Sequence, residues 1–464
     1  MKRKILFLIF TIFLCMQTVC AQALEIPAGV KNSENNMQLD ADAAIVMDAA
    51  TGEILFSRNI DKQEYPASIT KLMTALLVFE NCKMDETVTF SHQAVYTVEP
   101  GSSCIGMNEN ETLTVDQCLY AMLLQSANEV SNALAEHVDG SVDAFAKHMT
   151  SRAKELGAKN TSFLNANGLH DPNHLTTAYD MALIAKELLK YPHFKEILMT
   201  RSYEIPPTNL CNETRYIHGQ TQLINPAAIF YYKESEGGKT GFTDQARNTL
   251  VSYAKRDNTE IICVVLHSSG YGEYYDTMKL YDYGLDNFKT QQLCKSGDKY
   301  KTIQLEAVPV KQKKSLFTFL SKNKNAAAPA PENADLNYKD NVYATLLATD
   351  NTNGITVKDT INAGLTSVHK GDVCGKAVFS YEGVEIGSTD LVASSDVGLA
   401  PPSTADTSAK PNLSLLKWII IWAVIGVAIV LAICVLEIRK RKLRAKRRIA
   451  RRKKYQSYNS RKYK

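Results

Sequence analysis

Pro66-Ala67-Ser68-Ile69-Thr70-Lys71-Leu72-Met73-Thr74-Ala75-Leu76-Leu77-Val78-Phe79 reads as the opening of an apolar helix that carries a reactive pair. Leu72, Met73, Leu76 and Phe79 recur at helical spacing, and Pro66 suits helix entry. Ser68 and Lys71 therefore belong to the first turn. Residues three apart share a helix face, so the Ser68 hydroxyl and the Lys71 amine come within hydrogen-bond reach. A serine needs such a base to become a nucleophile. The free N–H groups and positive partial charge of the helix end add a means of stabilising an oxyanion. Read alone, Ser-x-x-Lys also fits a capping serine with a surface lysine. The rest of the chain decides between the two.

Upstream, Asp40 to Asn59 reads as a hairpin: Ala44-Ile45-Val46-Met47, a turn at Asp48-Ala49-Ala50-Thr51-Gly52, then Glu53-Ile54-Leu55-Phe56. Downstream, Thr87–Phe90 and Glu111–Thr114 read as short strands. Val115–Leu124 and Val130–Val138 have helical patterns around a polar break, Gln125-Ser126-Ala127-Asn128-Glu129. Such a break presents side chains to a cleft, or caps backbone groups in an ordinary turn. Helices follow at Val142–Leu156 and Met181–Leu189, the second behind a capping signature at Thr177–Asp180. Helix-rich sequence between strands indicates an α/β domain with a helical lobe.

His170 and His174 have a ligand-like spacing, but Pro172 between them breaks the helix that spacing needs, so a loop is expected and no metal site. Gly238-Lys239-Thr240 is reminiscent of a phosphate loop, yet the required earlier glycine falls on Lys233. Gly237-Gly238-Lys239-Thr240-Gly241-Phe242-Thr243 instead lies on or just before a strand, ahead of a hairpin formed by Thr249–Ala254 and Ile261–Leu266. Its glycines let a substrate backbone lie alongside. Tyr274–Phe288 closes the domain as a helix.

With 464 residues and 45% hydrophobic composition, the chain has room for two or three cores. Its net charge of +4 is unevenly placed: Arg439–Lys464 holds 15 Lys or Arg and no acid, and Lys2-Arg3-Lys4 precede an apolar run. Removing these 18 from the total of 53 leaves 35 basic against 49 acidic residues, so nucleic acid is excluded as the partner of the folded part. Residues 1–23 have the layout of a secretory signal peptide, with Ala21-Gln22-Ala23 as cleavage site. Trp418–Leu436 is an uninterrupted apolar run, about 28 Å long as a helix, enough to span a bilayer. The basic tail behind it places the C-terminus in the cytoplasm and everything before Lys417 outside. The expected order is signal peptide 1–23, catalytic domain 40–290, β-rich domain 292–395 interrupted by the linker Ala326–Pro331, stalk 396–417, transmembrane helix 418–436 and cytoplasmic tail 437–464. Seven cysteines fall in the exported part without a Cys-x-x-Cys, which leaves room for one or two disulfides and gives no zinc pattern.

In chain order the sequence thus offers Ser68-x-x-Lys71, Ser126-x-Asn128 and Lys239-Thr240-Gly241. This set resembles the penicillin-binding protein and serine β-lactamase superfamily. More narrowly, it resembles the low-molecular-weight D-alanyl-D-alanine carboxypeptidases of peptidase family S11. The resemblance implies an antiparallel sheet flanked by helices with a helical lobe and a small C-terminal β-rich domain; the one transmembrane helix read above replaces the amphipathic C-terminal helix of many relatives. It implies that Ser68 attacks the carbonyl between two terminal D-alanines with Lys71 as base. Burial and the second cation Lys239 would lower the pKa of Lys71. Ser126 would relay a proton to the leaving amine, and Asn128 would position the substrate amide or Lys71. Lys239, Thr240 and Gly241 would bind the substrate's carboxylate end. The backbone N–H groups of Ser68 and Phe242 would form the oxyanion hole. No cofactor or metal is implied. The implied partners are the peptidoglycan pentapeptide, β-lactam antibiotics as inhibitors, and the membrane holding the C-terminal anchor. A β-lactamase fits less well, because no Glu-x-x-Leu-Asn element follows the second motif. A D,D-endopeptidase or transpeptidase, or a tethered sensor without catalysis, stays open as an alternative.

Overall fold

The computed structural model describes residues 37–306 and 332–398. The expectations for the signal peptide, the Ala326–Pro331 linker, the stalk past Gly398, the transmembrane helix and the basic tail lie outside the described residues.

The first hairpin forms as expected from β1 (Ala43–Asp48) and β2 (Ile54–Arg58). Asp48 closes the turn by accepting from the Ala50 and Thr51 N–H groups, each at 2.8 Å. Every residue of β1 is buried. Because successive side chains point to opposite faces, Ala43, Ile45 and Met47 enter one core while Ala44 and Val46 enter another. That two-sided burial explains why the strand reads as a continuous apolar run.

A 3-10 turn, Ala67–Thr70, leads into α1 (Lys71–Asn81), so Ser68 precedes the α-helix and Lys71 begins it. Residues Lys71 to Val78 are all buried, as befits a helix surrounded by its lobe. β3 (Thr87–Thr89) pairs with β4 (Thr112–Thr114) around the short α2 (His92–Tyr96). The lobe is completed by α3 (Val115–Leu124), α4 (Asn128–Asp139), α5 (Val142–Glu155), α6 (Ala178–Leu188) and α7 (Pro192–Met199). Thr114 and Gln117 cap α3 reciprocally, Ser141 caps α5 and Thr177 caps α6. The expected polar break is shorter than its sequence suggests. α4 starts at Asn128 because the Asn128 N–H, free in a bare first turn, finds the Ser103 carbonyl at 2.8 Å.

The hairpin β5 (Ser202–Ile205) and β6 (Arg215–His218) precedes a meander of β7 (Ser235–Thr243), β8 (Arg247–Arg256) and β9 (Thr259–Ser268). The five-stranded antiparallel sheet runs β2-β1-β9-β8-β7, and Lys239-Thr240-Gly241 lies inside β7, opposite Val251-Leu250-Thr249, rather than at its entry. One face packs on the helical lobe; α8 (Gly272–Asn287) covers the other with Leu280, Tyr281 and Leu285.

β10 (Phe288–Cys294) pairs with β13 (Val342–Leu347), while β11 (Lys299–Gln304), β12 (Asn333–Tyr338), β16 (Val384–Ala393), β15 (Val373–Tyr381) and β14 (Ile355–Ile361) form a second antiparallel sheet in that order. Its small core includes Leu336, Cys374, Ala377 and Leu391. β11 and β12 escape the sequence reading because their polar residues alternate with few apolar ones. Thr290 Oγ1 donates to Asp48 at 2.5 Å and Thr51 meets Thr345 at 2.7 Å, tying this part to the first hairpin. The seven cysteines among the described residues are all free thiols, so the room the sequence leaves for one or two disulfides is not used among them.

Candidate active site

The turn that carries Ser68 is held in an unusual backbone conformation by close packing. Ala67 has φ of 51°, a left-handed value that a side chain rarely adopts. Its carbonyl lies against Gly168, where a Cβ would stand only 1.9 Å from the Ala67 oxygen. From the opposite side β7 presses Gly241 on the same turn: a Cβ there would lie 2.8 Å from the Ser68 nitrogen and 2.5 Å from Thr249 Oγ1. Thr249 Oγ1 donates to the Pro66 carbonyl at 2.8 Å. Two glycines and one threonine thereby fix Ser68 at the edge of the sheet.

Lys71 is completely buried, and three oxygens lie within hydrogen-bond reach of Nζ: Ser68 Oγ at 3.0 Å, Asn128 Oδ1 at 2.7 Å and the Asn167 carbonyl at 2.5 Å. Burial, and then the charge of Lys239, hold the amine well below the usual lysine range, against a smaller opposing pull from Glu129. The arrangement suits the neutral form. As a neutral amine, Nζ has two N–H bonds for the two carbonyl-type oxygens and a lone pair able to accept from the Ser68 hydroxyl.

Ser126 stands in the short break between α3 and α4, again at a left-handed φ of 62°. Lys239 Nζ donates to Ser126 Oγ at 3.0 Å and to the Thr240 carbonyl at 2.8 Å. Lys239 is 1% exposed, and burial pulls it down to about 7. The three motifs are thus joined by hydrogen bonds in two pairs, Ser68 with Lys71 and Ser126 with Lys239, and Asn128 reaches back from the second motif to the first. Thr240, Gly241 and Phe242 line a cleft of about 450 Å³ together with Ser68, Ser126 and Asn128. The Phe242 side chain is largely exposed at its rim.

The sequence reading missed Asn167 and Gly168. Both lie in the loop between Phe163 and His174, where the turn-forming run Asn165-Ala166-Asn167-Gly168 was the available signal. Asn165 Oδ1 accepts from the Gly168 N–H at 2.7 Å, and Asn167 Nδ2 donates to Asn132 Oδ1 at 3.0 Å. His174, expected in a loop, anchors it. Its Nδ1 accepts from the Leu164 N–H at 3.1 Å, which leaves Nε2 to donate to Thr70 Oγ1 at 2.8 Å. Burial lowers this imidazole to about 4, so it stays neutral. Glu129 was likewise read only as part of a polar break. It is buried and accepts from the Ile105 and Gly106 N–H groups at 2.6 and 3.1 Å, fixing the loop that brings Ser102 and Ser103 to the cleft.

The family model for D-alanyl-D-alanine carboxypeptidases, peptidase S11, matches residues 30–270. The D-alanyl-D-alanine carboxypeptidase DacF of Bacillus subtilis is 31% identical over 403 residues, covering 86% of this chain and 95% of the relative. DacA of Haemophilus influenzae is 29% identical over 380 residues, covering 78% of this chain and 86% of its own. Among solved structures, penicillin binding protein 5 of Haemophilus influenzae superposes with a TM-score of 0.61 at 26% identity, covering 78% of this chain and 99% of that one.

Proposed function

This chain belongs to the peptidase S11 family and is a serine-type D-alanyl-D-alanine carboxypeptidase, and on that premise we propose that Ser68 is its nucleophile and Lys71 the base that activates it. The observation that carries this reading is the set of three oxygens around a buried Lys71 Nζ, of which Ser68 Oγ is a hydroxyl on a residue that lines the cleft. The Ser68 oxygen attacks the carbonyl carbon of the penultimate D-alanine and its proton passes to Lys71. The oxyanion sits against the N–H groups of Ser68 and Phe242. When the tetrahedral centre collapses, the amide C–N bond breaks and the leaving nitrogen takes a proton through Ser126. The carboxylate of the departing D-alanine is held by Lys239 and Thr240. Two of the three Lys239 N–H donors go to Ser126 and the Thr240 carbonyl, which leaves one for the substrate. Water then attacks the ester, with Lys71 again as base, and frees Ser68.

Peptidoglycan stem peptides ending in D-Ala-D-Ala are the substrate class in this reading. β-Lactams, which present a strained amide and a carboxylate to the same groups, are its covalent inhibitors. We place the catalytic part on the outer face of the cell membrane, exported by the 1–23 segment and held by the 418–436 span with a cytoplasmic tail. The test is incubation of the full chain with labelled penicillin and with diacetyl-Lys-D-Ala-D-Ala, alongside Ser68→Ala. D-Alanine release and labelling that both vanish in the variant support the assignment. Labelling of the wild type without release moves the activity to cross-link cleavage or transpeptidation, and no labelling removes Ser68 from the chemistry.

A further inference from the structure

Glu273 lies in the first turn of α8, away from the three motifs in sequence, yet its side chain lines the catalytic cleft with Thr240, Thr243 and Asn248. It is 6% exposed, and its Oε2 is sealed from solvent without a hydrogen-bond partner. A buried carboxyl in this position calls for an explanation, because an unpaired ionised group is costly to keep there. The charged groups that face it are acidic. Asp40, on the segment before β1, reaches the backbone of Gly272 and is held by Ser269 N–H at 2.5 Å. Asp276, one turn along α8, accepts from the Ala41 N–H at 2.8 Å. The nearby cation Lys279 is taken up by Asp276 at 3.5 Å and by the Gln38 carbonyl at 2.7 Å. Burial first, and then Asp40 and Asp276, raise Glu273 to about 7. The uncharged acid is therefore available at neutral pH, and unlike the carboxylate it has an O–H to give.

We propose that Glu273 acts as a neutral carboxylic acid that donates an O–H from Oε1, the oxygen not sealed from solvent, to the free terminal carboxylate of the substrate, on the side of the cleft lined by Thr240, Thr243 and Asn248. The inference rests on the carboxylate-binding role given above to Lys239 and Thr240. An ionised Glu273 would repel that carboxylate, whereas the acid forms a charge-assisted hydrogen bond of the strong class. Binding of the anion in turn favours the protonated form, so substrate binding and protonation of Glu273 reinforce each other. Glu273 is a positioning and specificity residue in this account. It selects chains that end in a carboxylate and weakens its grip as pH rises through the neutral range.

The test is the pH profile of KM, from pH 6 to 9, for release of D-alanine from diacetyl-Lys-D-Ala-D-Ala by the full chain and by Glu273→Gln and Glu273→Ala. Lys239 also loses its proton in this range, so the comparison between proteins is the readout. For the wild type, KM should rise by about tenfold or more above pH 7, the scale of one hydrogen bond to a charged group. Glu273→Gln keeps a neutral donor of the same shape. Its KM at pH 6 should stay within about fivefold of wild type and its rise toward pH 9 should be at least threefold smaller. Glu273→Ala should show a high KM at pH 6 as well, with the larger part of each change in KM rather than kcat. A Glu273→Gln profile that reproduces the full wild-type rise assigns the titration to Lys239 and overturns the proposal. A wild-type KM that is flat to pH 9 also overturns it. If no protein releases D-alanine, the carboxypeptidase reading has failed. The second-order rate of labelling by penicillin, which carries its own carboxylate, then gives the same comparison without turnover.

Discussion

Lys239 Nζ lies 3.0 Å from Ser126 Oγ, so the cation of the third motif and the hydroxyl of the second form one buried unit at the wall of the cleft. The pairing gives Lys239 two tasks. In the proposed mechanism it polarises the hydroxyl that serves the leaving amine, and it lowers the pKa of Lys71 by its charge. The cost is a lysine kept out of water, and that cost sets the first prediction.

Lys239 releases its proton near 7 in the folded protein but keeps it to about 10.5 in the unfolded chain. Between these values the unfolded state binds more protons, so stability should rise with pH across this window. The slope from this residue is on the order of 1 kcal/mol per pH unit at most. Lys239→Met removes both the buried charge and the slope. Its unfolding midpoint at pH 7 should lie at or above that of the wild type, while penicillin labelling falls by at least 10²-fold. Thermal denaturation of both proteins at pH 7 and pH 9 measures the difference. A difference between the two midpoints that is the same at pH 7 and pH 9 would contradict it.

The position of Ser68 depends on two glycines that leave no room for a side chain. Gly241→Ala places a methyl 2.8 Å from the Ser68 nitrogen, on the very N–H assigned to the oxyanion hole. The Ser68 nitrogen is backbone and cannot swing aside, so the strand and the turn must move apart, and labelling by penicillin should drop by about 10²-fold or more. Gly168→Ala meets backbone at 1.9 Å from a left-handed φ of 87°, and should cost more than about 2 kcal/mol of stability in addition to activity. Labelling rates and urea midpoints of the two variants separate the effects. Near-wild-type labelling in Gly241→Ala would show that the strand does not set the nucleophile.

Much of this site was legible because its motifs are local. Ser68 and Lys71 are three apart on one turn, and the lone Lys-Thr-Gly was recognisable beside them without knowing its register. What escaped is what reaches the site from afar. The Asn167 carbonyl that accepts from Lys71 lies 96 residues away and is a backbone atom, invisible to any reading of side-chain types. Gly168 matters for the space it leaves at Ala67, and Glu273 for its burial. Neither property is a pattern along the chain. The start of α4 was misplaced by two residues for a similar reason: a loop carbonyl, that of Ser103, completes the helix end. In the β-rich part, β12 puts Ala334, Leu336 and Tyr338 on one side, but only Leu336 among them is strongly apolar, and β11 is mostly polar, so their alternation is faint along the chain.

Asn128 offers the sharpest test of Lys71 as a base. Its amide oxygen takes one N–H of the amine at 2.7 Å without adding charge, and so leaves the pKa of Lys71 to burial and Lys239. Asn128→Asp keeps the shape and puts an anion at that distance. The anion favours the ammonium and opposes the two effects that lower the pKa, so the limb on which acylation rises with pH should move upward. At pH 7 labelling by penicillin should fall by about tenfold or more and should recover part of the loss toward pH 9. Asn128→Ala removes the acceptor and adds no charge; its loss should not recover with pH. If Lys71 acted only by orienting Ser68, both variants would lose activity in parallel at every pH. The divergence of their profiles between pH 7 and pH 9 is the signature of a base whose proton affinity has been changed.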